Sequence, residues 1–528
     1  MLDEGLPGTR LRWSPEAKRF AENRRWAAHR AEQWRRDVRA ISEGGRAAAE
    51  AALGDAKGLE VLDDHQWVNV AAMTLPDGPG LCVFDEQGAG KTVTAIFAFD
   101  VLVDRNQADL LLIVAPKSMV AEWPADFARF KGDLYHVETL TGSRASRRRL
   151  LAEEPDVLVA NFEAVVAMEA ELRAILRRHG DRAVLVVDES YHVKNRDARR
   201  TQVLRRLREW CGRTFVLCGT PAPNSAHDLV EQFNLVDFGV TFEGVEVPAD
   251  REEARAVVRQ VLSERGAYTR HLKAEVLPEL PTKSFHRILV PLGKQQRRLY
   301  QGALHDLIID LRSIDDSQFR QEITSFLARR SALLQICSNP AKMAPEFRET
   351  PAKLVVLDQL LADAIGRRGE KVVVWSFYTA SLASIFDRYQ RWNPVRYDGS
   401  ITDIAERREA VSRFQSDSST MLFVGNPAAA GAGLTLHRAR LAVYESLSNQ
   451  AAHYLQSLDR IHRRGQERAV EYTVLLCDGT IELTEFERLA EKERSAQLLL
   501  GDRVDAVPTR ETMLAELESA ALLAKLTP

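Results

Sequence analysis

Asp85-Glu86-Gln87-Gly88-Ala89-Gly90-Lys91-Thr92 is the stretch whose residue types most plainly could do chemistry. Its two glycines let a loop turn without Cβ clashes. The lysine and threonine that follow are the groups that grip a polyphosphate: Lys91 would reach the β- and γ-phosphates of a nucleoside triphosphate, and Thr92 would offer a hydroxyl to the accompanying Mg²⁺. The pattern G-x-x-x-x-G-K-[ST] is met except at its first position, where Asp85 stands. A second constellation is Asp188-Glu189, delivered at the end of the apolar run from Ala183 to Val187. There Asp188 would hold Mg²⁺, and Glu189 would orient and deprotonate an attacking water. The third is the basic stretch from Gln456 to Gln466. Arg460 and Arg463 stand three apart in it, the spacing of one helical face, so both guanidinium groups can point at one anion. Upstream of the loop, the Gln66 amide both donates and accepts, as reading an adenine edge requires.

These groups need elements to carry them. Leu81 to Phe84 is apolar, and Val93, Ile96 and Phe97 follow the loop at helical spacing. Strand, glycine loop and helix is the order that turns backbone N–H groups on a phosphate. Further apolar runs at 110–115, 156–160, 183–187 and 214–217 alternate with helical patterns, which predicts a parallel, doubly wound sheet. Lys117 and Ser118 follow one of these strands, at the carboxyl end where open α/β sheets bind ligands, and Asn161 ends another. Trp123, in the next helix, reads as core packing. A second α/β block begins near Leu354, with strands at 371–377, up to Tyr397, at 420–425 and at 439–445, but it has no glycine loop of its own. Between the blocks, a loop-like acidic segment leads to KAEVLPELPTK at 273–283 and then to long helical patterns from Lys294 to Cys337.

At the other end, Ser14-Pro15-Glu16 supplies a cap, a first-turn proline and an acidic residue for a helix. Phe20, Ala27, Ala31, Trp34, Val38 and Ile41 make its apolar face, which runs to Gly44-Gly45. Between Arg10 and Arg39 it carries ten basic and four acidic residues. That charge reads either as the solvated face of a packed helix or as a contact for DNA phosphates or a partner.

The chain of 528 residues exceeds a single core, so several domains are expected. They are a helical basic arm at 1–59, an ATP-loading lobe at 60–285, a helical bridge at 286–350, a second lobe at 351–500 and a C-terminal helix at 501–528. A composition of 45% hydrophobic and 28% charged residues is that of a soluble globular protein. With no membrane-length apolar run and no signal-peptide core, a cytoplasmic protein is expected. Five scattered cysteines without a C-x-x-C read as buried thiols, not as metal ligands or disulfides. A net charge of −3 gives no overall nucleic-acid signature, although a basic groove can sit on an acidic body.

With the blocks in register, the chain resembles the Swi/Snf ATPases of helicase superfamily two, in their compact bacterial or viral form. The matching stretches run from Leu62 to about Gly501. LDDHQ resembles the family's adenine motif, and DEQGAGKT its DE-x-G-x-GKT, in which aspartate is common at the first position. VAPKSMVAEW resembles motif Ia, DESYHVKN the DEAH-type box, CGTPAPN the TGTP-x-x-N motif and LLQICSNP the L-R-Q-x-C-x-H-P segment. AAAGAGLTL and QSLDRIHRRGQ resemble motifs V and VI. The resemblance implies two RecA-like lobes that close on ATP and Mg²⁺ and walk along double-stranded DNA, generally without separating its strands. It implies a nucleotide site of Gln66, residues 85–92 (Asp85, Glu86, Gln87, Gly88, Ala89, Gly90, Lys91 and Thr92), Gly433 and Gln456. Arg460 and Arg463 would act as arginine fingers, and Lys117, Ser118, Asn161, Ser376 and Thr435 would follow the DNA backbone. Tyr191, His192, Ala428, Ala430 and Ser448 depart from the family pattern. A monomer without membrane attachment is expected, with any protein partner at the N-terminal arm. Two other functions stand beside a translocase: a strand-separating DNA or RNA helicase, and a DNA-binding scaffold with a decayed ATPase. Intact Lys91, Asp188, Glu189, Arg460 and Arg463 argue against the last.

Overall fold

The structure, a computed structural model, describes residues 13–222, 226–401, 403–429, 434–448 and 451–489. The chain forms two compact units that divide after Pro278, each built on one parallel sheet.

The first sheet contains β1 (Gly80–Val83), β2 (Leu110–Ala115), β3 (Val137–Thr139), β4 (Val157–Asn161), β5 (Ala183–Asp188), β6 (Arg213–Leu217) and β7 (Tyr268–Thr269). Their order is β3-β4-β2-β5-β6-β1-β7, and every pairing is parallel. The chain first moves one way across the sheet and then returns, so right-handed crossovers place helices on both faces. Such strands lose contact with water on both sides, which is why β1, β2, β5 and β6 are buried along their whole length. Register sets the functional edge. Val83 and Asp188 both pair with Leu217, and Ala115 pairs with Asn161, so the carboxyl ends of β1, β5, β6, β2 and β4 share one side of the unit.

Helix α1 (Pro15–Leu53) precedes this sheet, with Ser14 Oγ accepting from Ala17 N at 3.1 Å as its cap. The expected stop at Gly44-Gly45 is a kink: Gly45 has φ 59° and ψ −144°, and a second helical segment continues to Leu53. Ala27, Ala31, Trp34, Val38 and Ile41 form the buried stripe. The basic residues of α1 turn to the first unit. Arg19 Nε donates to Glu209 O at 2.6 Å and its guanidinium stacks 4.6 Å from the Trp210 ring. Arg24 pairs with Glu243 at 2.8 Å, Arg30 with Asp77, and Arg39 donates to Ser263 O at 2.8 Å. These contacts favour the packed helix over the phosphate contact. Helices α2 (Asp64–Met73) and α3 (Lys91–Asp104) flank the glycine loop.

The second sheet contains β8 (Lys283–Val290), β9 (Val372–Trp375), β10 (Val395–Tyr397), β11 (Leu422–Gly425), β12 (Leu441–Tyr444) and β13 (Val470–Cys477), in the order β10-β11-β9-β12-β13-β8, again all parallel. β8 and β13 are not among the expected strands, and the expected boundary at 285 and 286 falls inside β8. The helices Lys294–Ser313 and Asp316–Ser338, in the expected bridge and protrusion, share a buried cluster with Cys477 and Ile481 and so pack with this second unit. All five cysteines are buried and free. Among the described residues no helix is long and apolar enough to cross a membrane. The expected helix at 480–500 is described only for 482–489, and 501–528 lie outside the described residues.

Candidate functional site

β1 brings Asp85 to the sheet edge, where its side chain is fully buried. Asn69 Nδ2 donates to Asp85 Oδ2 at 2.5 Å, His271 N donates to Oδ1 at 3.0 Å, and His271 Nδ1 lies 2.8 Å from the same oxygen. An aspartate at the motif's first position thus anchors the loop from beneath. Gly88 and Gly90 take left-handed φ values of 87° and 88°, and a Cβ on Gly90 would lie 2.3 Å from Gln66 Nε2. Only glycine fits there. Gly90 also caps α3, so Lys91 opens that helix and Thr92 follows it half-exposed. The Lys91 ammonium folds back into the loop, donating to Asp85 O at 2.9 Å and Glu86 O at 3.3 Å. Gln66 is buried beside it, its Oε1 accepting from Asp63 N at 2.9 Å and its Nε2 donating to Gly90 O at 3.4 Å. Ala89 O lies 2.8 Å from His65 Nε2, and Glu86 Oε2 accepts from Lys273 N at 2.7 Å. Gln87 approaches the next motif: a Cβ on Gly219 would lie 2.7 Å from Gln87 Oε1.

β5 delivers the acidic pair. Glu189 sits at φ 49°, ψ 55°, a left-handed conformation unusual for a residue with a Cβ, and it ends the alternation of side chains along the strand. Asp188 is held by two donors, Trp123 Nε1 at 3.2 Å and Glu189 N at 2.9 Å. Burial pushes the Asp188 carboxyl up, and the nearby Lys91 ammonium opposes that shift. Burial and the charge of Glu189 push the Cys218 thiol, just past β6, up to about 12, again against Lys91. Lys91, Asp188 and Glu189 therefore share one electrostatic neighbourhood at this edge. Trp123 is core, as its sequence setting suggests, yet its indole N–H also orients Asp188, a contact the sequence does not reveal. Ser190 Oγ donates to Gln232 Oε1 at 2.5 Å, and Gln232 Nε2 to Pro221 O at 2.6 Å, which joins the acidic turn to the Gly219–Pro221 turn. The two departures next to it make an aromatic stack, Tyr191 on His192 at 4.4 Å, with His192 5.1 Å from Phe162.

Along the same edge, Lys117 is exposed and Ser118 half-buried just beyond β2. Asn161 ends β4 and caps the helix Phe162–Ala167, its Oδ1 accepting from Ala164 N at 2.7 Å.

In the second unit the expected residues are arranged otherwise. Ser376 is fully buried. Its hydroxyl donates to Glu445 Oε2 at 2.8 Å, while Ser338 Oγ donates to Oε1 at 2.7 Å. A hydroxyl committed inside the unit is not presented to a DNA backbone, which corrects that expectation for this conformation. Thr435 is half-exposed, with its carbonyl accepting from Gln415 Nε2 at 2.9 Å. Gln456 is buried on the helix Ala451–Leu458. That helix ends before the arginines, so Arg460 and Arg463 lie in the turns after it and not on a helical face. Arg460 is 2% exposed and its carbonyl accepts from Leu436 N at 2.8 Å. Arg463 Nη1 donates to Leu434 O at 3.2 Å. Gln466 Nε2 donates to His437 O and Ala439 O, each at 2.9 Å, so segments 434–439 and 460–466 form one packed layer. Gly433 and Ala430 lie outside the described residues. Ser448 is buried, its Oγ 3.0 Å from His453 Nδ1.

Cys337, Cys477 and Glu482 bring their ligand atoms within 4.8 Å of one another. Lys353, fully buried, already donates to Glu482 Oε1 at 2.7 Å and to Glu445 O at 2.7 Å. The cluster has its cation, and it reads as a satisfied ion pair in the core.

A buried strand running through a glycine loop into a helix that opens on lysine, faced by an Asp-Glu pair two strands away, defines a phosphate-loop nucleotide-binding protein with two α/β units. The chain belongs to the Swi/Snf family of helicase superfamily two: the SNF2-related domain matches residues 22–342 and the helicase conserved C-terminal domain matches residues 352–465. It is 28% identical over 472 residues to the SWI/SNF-related matrix-associated actin-dependent regulator of chromatin subfamily A member 1 of Homo sapiens, covering 83% of this chain and 42% of that protein. It is 26% identical over 460 residues to the ISWI chromatin-remodeling complex ATPase ISW1 of Saccharomyces cerevisiae, covering 81% and 39%. To the human DNA repair and recombination protein RAD54-like it is 25% identical over 536 residues, covering 88% and 69%. The chain thus spans about two-fifths of the length of the first two relatives.

Proposed function

We propose that this protein is an ATP-dependent double-stranded DNA translocase, which hydrolyses ATP at the loop of its first unit and uses the cycle to move on duplex DNA and displace or remodel bound protein. The observation that carries the reading is the shared sheet edge: Lys91, Asp188 and Glu189 lie on it together, and Lys117, Ser118 and Asn161 continue it. The names of the relatives, which speak of chromatin remodelling and of DNA repair and recombination, support DNA as the track.

The residues divide the work. Loop N–H groups and Lys91 hold the triphosphate, and Gln66, beside the loop, would read the base. The Thr92 hydroxyl and the Asp188 carboxylate are hard oxygen donors that suit Mg²⁺, which would neutralise phosphate charge when bound. Glu189, turned out of the strand by its left-handed backbone, takes the proton of the attacking water. Arg460 and Arg463 match the family motif whose arginines would supply positive charge to the phosphoryl group in transfer. Lys117, Ser118, Asn161 and Thr435 grip the sugar-phosphate backbone.

Turnover measured with duplex, single-stranded, forked and RNA cofactors, together with triplex displacement, tests this. Duplex DNA should stimulate most, and ATP should drive off a third strand without unwinding a tailed duplex. Lys91→Ala should lose nucleotide binding, and Glu189→Gln should bind ATP and leave it uncleaved. Wild-type turnover by Glu189→Gln would overturn the catalytic assignment. Unwinding of the tailed duplex without triplex displacement would favour a helicase.

A further inference from the structure

The loop has a companion segment that this mechanism leaves unused. After β7 the chain follows the loop nearly residue by residue. Phe84 N donates to Thr269 O at 2.9 Å and Glu86 N to His271 O at 2.9 Å. In return His271 N and Lys273 N donate to the carboxylates of Asp85 and Glu86, at 3.0 and 2.7 Å. Four hydrogen bonds in five residues fix the backbone of 269–273 against the loop. Lys273 stands at the end of this run and is 4% exposed. Its side chain lies against Gly88: a Cβ built there would be 3.0 Å from Lys273 Cε and 3.2 Å from Nζ.

In a loop of this kind the backbone N–H groups cradle the phosphates. The nearly buried ammonium beside Gly88 brings a cationic group against that cradle, and burial shields it from salt. Lys91 reaches the loop from the helix side, through the carbonyls of Asp85 and Glu86. Lys273 comes from the neighbouring parallel segment, on a backbone that the loop's own carboxylates hold.

We propose that Lys273 is a second phosphate-binding cation of this site, acting on the polyphosphate of the bound nucleotide. The proposal rests on the reading of the loop as a nucleotide site. Its electrostatic form makes a graded claim. The Lys273 contribution should grow with phosphate charge, greatest for ATP, smaller for ADP and nil for adenosine, whereas a residue that merely braces the loop would affect ATP and ADP alike.

The test is calorimetric binding of ATP, ADP and adenosine to the full chain, alongside steady-state kinetics, for Lys273→Met, Lys273→Gln and Lys273→Arg. Lys273→Gln keeps length and polarity if the methionine variant folds poorly. The neutral variants should bind ATP about tenfold more weakly, as loss of one nearby charge implies, with a smaller loss for ADP and none for adenosine. KM should rise more than kcat falls, and Lys273→Arg should restore ATP affinity. Equal losses for ATP and ADP, or no loss, would overturn the proposal. Lys91→Ala, measured in parallel, separates the two ideas. If it too binds ATP normally, the loop reading itself fails; if it alone loses ATP, only the role of Lys273 is wrong.

Discussion

Glu209 shows what a single residue costs at the junction of α1 and the first unit. Burial, with the negative charge of Glu16 added, pushes its carboxyl from 4.5 to about 7. A raised acid pKa means the folded state prefers the protonated form, so this group's stabilisation is complete below about pH 4.5 and lost as pH rises through about 7. Above that pH the fold carries a poorly solvated carboxylate. Glu209→Gln should therefore be more stable than wild type at pH 8, by about 1 kcal/mol once partial exposure is discounted. The difference should close below about pH 5, which denaturant titrations at several pH values would measure. A gap independent of pH would assign the effect to packing. Asp85, fully buried, is answered by hydrogen bonds from Asn69 and His271, and its place in the loop is structural.

At the scale of elements, α1 presents a stripe of Ala27, Ala31, Trp34, Val38 and Ile41 to the first unit and spends Arg19, Arg24, Arg30 and Arg39 on it. Removal of residues 1–59 should lower the melting temperature by several degrees and leave the salt slope of DNA binding unchanged, since few phosphate contacts are lost. A flatter slope would return the arm to the DNA. The same scale marks what the sequence could tell. Strands buried on both faces, such as Leu110–Ala115 and Ala183–Asp188, announce themselves as continuous apolar runs. β8 does not, because Lys283, Ser284, His286 and Arg287 are exposed on an edge strand that buries only Val290 fully and Ile288 in part. The glycine loop and acidic pair were legible because local backbone demands fix their residue types. Contacts made by distant segments were not: Trp123 on Asp188, Ser376 on Glu445, and the layer in which Leu436 and Gln466 take Arg460 out of its expected helix.

The whole molecule pairs two similar sheets with a single glycine loop and carries a net charge of only −3. On the proposed function, DNA would be held by local groups at strand ends, and those meet backbone atoms that are the same in every sequence. ATP turnover should accordingly be stimulated almost equally by duplexes of unrelated sequence, and the stimulation should fall steeply with salt. A strong preference for one sequence, with a shallow salt dependence, would point to contacts with base edges.

The pairing of β8 with β13 has a further consequence for how the molecule is made. Every described strand of the first sheet has been synthesised by Thr269, so that unit can fold while synthesis continues. The second sheet begins with Lys283–Val290 and cannot give that strand its neighbour until Val470–Cys477 emerges. For most of the time spent translating the second unit, Phe285 and Leu289 sit on a strand without its partner, an edge open to pairing with another chain. The nascent protein is thus half finished in a lopsided way, with a settled nucleotide unit tethered to one that waits for the last of its described strands, and the crowded cell has that interval in which to protect or lose it.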